Sequence, residues 1–448
     1  MHMAFPAKSD RATLAAHLFL LVALQYVYLI GVVPLYGYLG FRAHFDPVRA
    51  AIAIVSLPCL LTLIPSARPI PRYFGHFAVI SIVTPTLTLF ACGAGSWAHL
   101  GVTVSCFATV CIVSRVAKVP APRILSLRPP IVLLSAVLMS GLVVAIVAMG
   151  VGGRINFDLN EVYDLRAEFA DDSRGLMSYI QVIASKALLP LAVALACIYR
   201  QPLVIAALCL MGLLLFGFTT HKSMALFPVL AAGVYWLAGR HQRISWAITG
   251  LAALILISTL TKGWLLGLLP RRGLLTPVQL NSYYIEHFSS NPTFYWSTSR
   301  ITFDLIDPPG DLSPPDLIGY MYHGYIHSAN TGWIGSGFAQ AGLMGALLYS
   351  ALLGIVFAFF DDCAKRLGHR LVLASASVPV LAALTSTDLI TAFITHGLAF
   401  TTIALSVIGP APSLFRRPKR LRLAFAGEGP LSALPASHHR FQVRGSRN

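Results

Sequence analysis

Apolar runs close to twenty residues long recur from one end of this chain to the other, and nothing else constrains its fold so tightly. A helix needs about 20 apolar residues to cross a hydrocarbon core of ~30 Å. Runs of that kind fall at 13–36, 48–64, 73–92, 96–114, 129–150, 176–198, 202–218, 223–238, 245–262, 328–360, 371–387 and 391–409. Charged residues make up only 11% of the chain, where soluble domains carry about 25%. The alternating ten-residue pattern of a membrane barrel is missing, so the spans are read as helices that satisfy their own backbone groups in lipid. The expectation is an all-α polytopic membrane protein of twelve transmembrane helices, occupying 1–410, with a basic tail at 411–448. The first run is too long for a signal peptide and lacks a small-residue cleavage site.

Lysine and arginine are retained on the cytoplasmic side of membrane proteins. With the N-terminus inside, 22 of the 33 basic residues fall on inside segments and 13 of the 17 acids fall outside. Both termini are therefore expected to be cytoplasmic. The net charge of +16 is mostly this topology signal. A nucleic-acid partner would want a basic patch on a folded soluble domain, and none is expected. The tail segment Arg416-Arg-Pro-Lys-Arg-Leu-Arg422 suits anionic lipid heads of the bilayer, and the Pro, Gly and Ser around it predict disorder. The seven cysteines are scattered, without the paired spacing of a zinc site.

Two outside connections are long, about 151–175 and 263–327, and together they hold 11 of the 17 acids. Long connections in compact proteins are usually functional or disordered. The second is rich in aromatic residues, among them Tyr295 and Trp296, whose rings suit sugar faces. It runs through Arg300, Asp304, Asp307, His323, His327 and Asn330 into a small-residue apolar run with Gly335, Gly337, Gly342 and Gly345. The glycines are read as packing residues.

Several side chains on this side bear chemistry. Arg166, Arg174 and Arg300 sit where positive charge is disfavoured, and a guanidinium fork matches phosphate oxygens. Loop salt bridges are the plain alternative. The turn Thr219-Thr-His-Lys222-Ser places His221 and Lys222 at a helix start, where free N–H groups favour an anion. A capped turn with a snorkelling lysine reads equally well. Lys186 lies ~15 Å into the sixth run at helical rise, a depth at which a charge points to function. His323 and His327 are candidate bases near neutral pH, and Asp304 competes with them. Their i, i+4 spacing also fits a metal pair, yet no Glu stands between them and Gly324 weakens the helix. No metal or cofactor is expected.

Three of these stretches bear a family resemblance. Val162-Tyr-Asp-Leu-Arg166, Thr220-His-Lys222-Ser223, and Ser328-Ala-Asn330-Thr-Gly-Trp followed by Gln340-Ala-Gly342-Leu-Met-Gly345 resemble the oligosaccharide repeat-unit polymerases, the Wzy-type O-antigen polymerases of bacterial inner membranes. The resemblance spans roughly residues 13–410. It implies an inner-membrane glycosyltransferase that joins undecaprenyl-diphosphate-linked units on the periplasmic face, without metal, into O-antigen, capsule or exopolysaccharide. A flippase and a chain-length regulator are the implied partners. Arg166, Arg174, Lys222 and Arg300 would stabilise the departing diphosphate. His327 would orient or deprotonate the acceptor, with His323 or Asp304 as alternates. The related O-antigen ligases place nine residues between their His pair and Gly-x-x-Gly; here thirteen separate Ser328 from Gly342, which argues against a ligase. An Arg-x10-Gly motif of some polymerases is also unmatched, Arg300 to Gly310 being one residue short. The rival classes are a glycolipid transporter or flippase, which would show broken helices around a mid-membrane polar site, and a scaffold of an envelope assembly.

Overall fold

A computed structural model of the protein describes residues 8–157, 176–240, 242–261, 263–303 and 305–410. Among these residues every regular element is a helix, apart from one isolated bridge between Leu127 and Ile408. Eight helices are long and apolar enough to cross a membrane. They are α1 (Arg11–Leu39), α3 (Pro69–Ala91), α4 (Trp97–Val116), α5 (Pro129–Gly150), α6 (Tyr179–Ile198), α7 (Pro202–Thr219), α12 (Trp333–Leu367) and α14 (Leu389–Val407). Four shorter apolar helices accompany them: α2 (Pro47–Leu63), α8 (Lys222–Leu237), α9 (Arg243–Ser258) and α13 (His369–Thr385). The connection read as a long loop contains two helices of its own, α10 (Thr276–Phe288) and α11 (Pro314–His323).

Helix starts follow from local chemistry. Proline opens α2, α3, α5 and α7, where its missing N–H would have had no partner. Asp46 caps α2 by accepting from the N–H groups of Val48 and Arg49, and Ser96 caps α4 through His99 N–H. Prolines further along leave a different mark. Pro34, Pro85 and Pro190 each follow directly on a π-helical turn, at Tyr28–Val32, Val79–Val83 and Ala184–Leu188. A proline inside a helix cannot donate, and its ring clashes with the carbonyl four residues back. Widening the preceding turn relieves that clash. The third turn contains Lys186, whose carbonyl is the one Pro190 displaces.

The core is built around α12, which packs on α4, α10 and α13. In turn α13 packs on α6 and α8, and α1 lies along α9. The run read as a single span at 328–360 is not one rod. Ala341 (φ −153°, ψ 39°) and Gly342 (φ 57°, ψ −143°) break the helix. Trp333 Nε1–H donates to Ser350 Oγ at 2.9 Å, and a Cβ on Gly337 would stand 2.9 Å from Ala346 Cα. In a straight helix the first pair would lie ~25 Å apart. The two pairs share one centre of symmetry in sequence, at 341–342. Residues 333–340 therefore fold back antiparallel on the start of 343–367 as a helical hairpin. The glycines read as sites of contact between helices instead let the two arms of this hairpin touch: a Cβ on Gly345 would collide with the carbonyl oxygen of Gly337.

Candidate functional site

The segment ending at Gly332 carries the chain into the bundle before the hairpin arm 333–340 begins. Gly332 passes so close to Leu384 that a Cβ would collide with its carbonyl oxygen. Asn281 on α10 fixes this entry. Its Oδ1 accepts from Thr331 Oγ1 at 2.6 Å and from Gly335 N–H at 3.0 Å. That carboxamide is fully buried, and it supplies the short helix with a cap its own Gly332 cannot. Asn281→Ala is expected to cost about 1–2 kcal/mol, read as a lower thermal midpoint of the detergent-purified protein.

Above this point the loop 294–296 docks on the hairpin. Phe294 N–H donates to Ala339 O at 2.9 Å and Tyr295 N–H to Gln340 O at 2.8 Å. Trp296 N–H donates to Gln340 Oε1 at 2.7 Å. Tyr295 and Trp296 both take positive φ, 45° and 61°, so the turn is held rather than relaxed. Between loop, hairpin and the α13–α14 connection lies a cavity of about 300 Å³, at the small end of ligand sites.

Among the described residues Asp388 is the one carboxylate lining that cavity. Its Oδ1 accepts from Ile390 N–H at 2.9 Å and Thr391 N–H at 3.1 Å, so it caps the first turns of α14. Its Oδ2 accepts from Tyr349 O–H at 3.0 Å, and that hydroxyl accepts from Trp296 Nε1–H at 2.8 Å. The chain Trp296–Tyr349–Asp388 thus ties the aromatic loop to the carboxylate. Around it stand the hydroxyls of Ser299, Ser313 and Thr391 and the amides of Asn330 and Gln340. His396 lines the cavity where α14 is broken at 395–397. Lys186 lies near enough to interact electrostatically with this imidazole, while Gly397 approaches Ala187 so closely that a Cβ would sit 2.5 Å from that residue's Cβ. The widened turn in α6 and the break in α14 face each other. A lining of hydroxyls, amides and one indole around a single held carboxylate suits a polyhydroxylated ligand.

The residues nominated from sequence distribute unevenly. Trp296 and Asn330 line the cavity, Tyr295 stands beside it with its side chain exposed, and Lys186 reaches it through His396. Arg300 directly follows the lining segment, in a short 3-10 turn, Arg300–Thr302. His323 and His327 form a separate aromatic cluster on the far part of α11, their rings 4.9 Å apart. Tyr283 stacks on Tyr322 there at 4.0 Å. His327 Nδ1 lies 3.2 Å from Tyr325 O. Burial, and then the charge of His327, lower the pKa of His323. Asp316 connects the two regions by accepting from Ser313 and Ser328 at 2.6 and 2.8 Å. His221 stands at the N-cap position and Lys222 is the first residue of α8, and neither is among the lining residues. Phe157 packs on Phe216 beside that turn. Arg166, Arg174 and Asp304 lie outside the described residues.

Asp388, His396 and Tyr349 were not singled out from sequence, and Gln340 entered only as part of the stretch that carries the resemblance. Asp388 had a signal, since Ser386-Thr-Asp388 is a helix-capping sequence and sets a lone carboxylate between two apolar runs. Tyr349 had none, because a tyrosine in an apolar helix reads as core. Comparison of the chain with family models, curated proteins and solved structures returns no match.

Proposed function

We propose that the protein joins lipid-diphosphate-linked oligosaccharide units in this cavity, as a polysaccharide polymerase of the bacterial inner membrane. The reading takes the chain to cross the membrane twelve times with both termini cytoplasmic, so that the cavity opens to the periplasm. The observation that carries it is the cavity's chemistry: a sugar-compatible lining with one carboxylate fixed at three points. The resemblance of Ser328–Trp333 and Gln340–Gly345 to the Wzy-type polymerases supports it from sequence, because Asn330, Thr331 and Gln340 of those segments line the cavity.

In this reading the acceptor hydroxyl lies against Asp388 Oδ2. Its oxygen bonds to the anomeric carbon of the growing chain. The bond from that carbon to the diphosphate oxygen breaks, undecaprenyl diphosphate leaves, and the acceptor proton passes to Asp388. General bases of this kind typically contribute ~10²–10⁴-fold. Asp388 takes the role because it lines the cavity with Trp296 and Asn330, whereas His327 stands outside that lining. The leaving diphosphate is assigned, from the sequence, to Arg166, Arg174, Lys222 and Arg300, with Lys186 beside His396 a further cation.

Reconstitution of the full chain with undecaprenyl-diphosphate-linked repeat units is the direct test. Longer lipid-linked glycans and equimolar free undecaprenyl diphosphate are expected. A transporter reading also draws on the structure, since chain breaks at 341–342, 386–388 and 395–397 surround a polar cavity. Sealed vesicles separate the two. Movement of the lipid-linked unit across the bilayer with no new glycosidic bond favours transport and removes the polymerase.

A further inference from the structure

A second hollow, of about 520 Å³, lies at the other end of α12, where the ends of α1 to α4 meet. Three arginines line it: Arg68 and Arg72 at the start of α3, and Arg115 in the last turn of α4. No acid lines it. Asp361 interacts electrostatically with Arg68 and accepts from Ile70 N–H at 3.3 Å, so one positive charge is partly offset. Arg68 is also committed to the carbonyls of Ser114 and Ala117, both at 2.7 Å, and Arg115 donates to Leu63 O at 2.8 Å. These bonds direct the guanidinium groups of Arg68 and Arg115 across the hollow, Arg115 from its exposed rim. Thr62 adds a hydroxyl. A second, smaller hollow shares Arg72 and adds Arg240, extending the positive charge along this face.

Apart from Thr13, Ser66 and His76, the rest of the lining is apolar. Leu14, Pro58, Leu61 and Ile64 line the same space. They continue into α1 and α2, whose outward faces expose Phe19, Val22, Ile54 and Val55. A fixed cluster of guanidinium groups selects phosphate oxygens. A soluble anion would gain nothing from the apolar walls, whereas a lipid lays its acyl chains on just such a face. We propose that this hollow binds the phosphodiester headgroup of an anionic phospholipid, with the acyl chains lying against α1 and α2. The proposal does not depend on the reaction assigned to the cavity at the other end.

The test uses the full chain purified in detergent and offered equal amounts of phosphatidylglycerol and phosphatidylcholine with matched acyl chains, with bound lipid read by native mass spectrometry. Preferential retention of phosphatidylglycerol is expected. Removing a positive charge at an anionic surface weakens binding roughly fivefold, so Arg72→Gln with Arg115→Gln should lower the preference by about tenfold or more. Arg68 is left intact because its two carbonyl bonds join α3 to α4. Should the double variant fail to fold, as judged by its melting in phosphatidylcholine, Arg115→Gln alone should still lower the preference about fivefold, its side chain being exposed at the rim. Lys365→Gln, at an exposed lysine paired with Asp362 on the same face, should change nothing. Three results would overturn the proposal: an unchanged preference in the arginine variants, an equal loss in Lys365→Gln, or displacement of phosphatidylglycerol by inorganic phosphate.

Discussion

Asp388→Asn is expected to slow release of undecaprenyl diphosphate by roughly 10²–10⁴-fold with little loss of stability. The two halves of that expectation come from different oxygens. Asn caps a helix about as well as Asp, so its side-chain oxygen can still accept from Ile390 and Thr391 N–H. The short helix at the head of α14 therefore persists. What disappears is a basic oxygen at the position that Tyr349 O–H now holds. Asp388→Ala removes both functions, and its lower melting temperature would separate the cap from the chemistry. Tyr349→Phe removes one donor and leaves the carboxylate in place, so a much smaller loss of rate is expected. Initial rates on reconstituted protein, set beside melting curves of the same preparations, check all three. If Asp388→Asn turns over like the parent chain, the carboxylate is only a cap and the base must be sought elsewhere, with His327 first.

The membrane class of this chain was legible because lipid imposes a pattern that sequence cannot hide. Twelve apolar runs map onto eight long and four short apolar helices, with ends a few residues displaced. The cavity was only half legible. Trp296 and Asn330 stood out as polar or aromatic residues in a long connection, a signal that depends on sequence neighbours. Asp388 and His396 are brought to the same cavity by breaks between and within helices, and hydropathy alone smooths such breaks away. The hairpin was hidden for the same reason. Residues 333–360 carry no charged side chain, and the turn at Ala341-Gly342 costs only one glycine in an already glycine-rich run. Prolines within helices do not all act alike: Pro58, Pro228 and Pro379 sit in helices without a widened turn. Pro34, Pro85 and Pro190 each mark a widened turn, and the last of these holds the lysine that depth alone had singled out.

Gly345→Ala is expected to open the hairpin, destabilising the protein by about 1–3 kcal/mol and largely abolishing activity. The added methyl would collide with the carbonyl oxygen of Gly337, a backbone atom that cannot rotate aside. Relief requires residues 333–340 to move away from 343–350. Ser336 and Gln340 line the cavity from the moving arm, and Gln340 also holds Trp296 through its N–H. The wall and the aromatic loop would shift together. Gly337→Ala meets Ala346 Cα and Gly345 O, both at 2.9 Å, and should act in the same direction. Because either methyl forces the same separation, the double variant should cost clearly less than the sum of the two. Met344→Ala is the control, since that side chain lies in the same hairpin but is 73% exposed; its melting point and rate should stay near those of the parent. Additive losses at Gly337 and Gly345 would mean that the two glycines serve separate contacts and that residues 333–340 do not fold back on 343–350 as a unit.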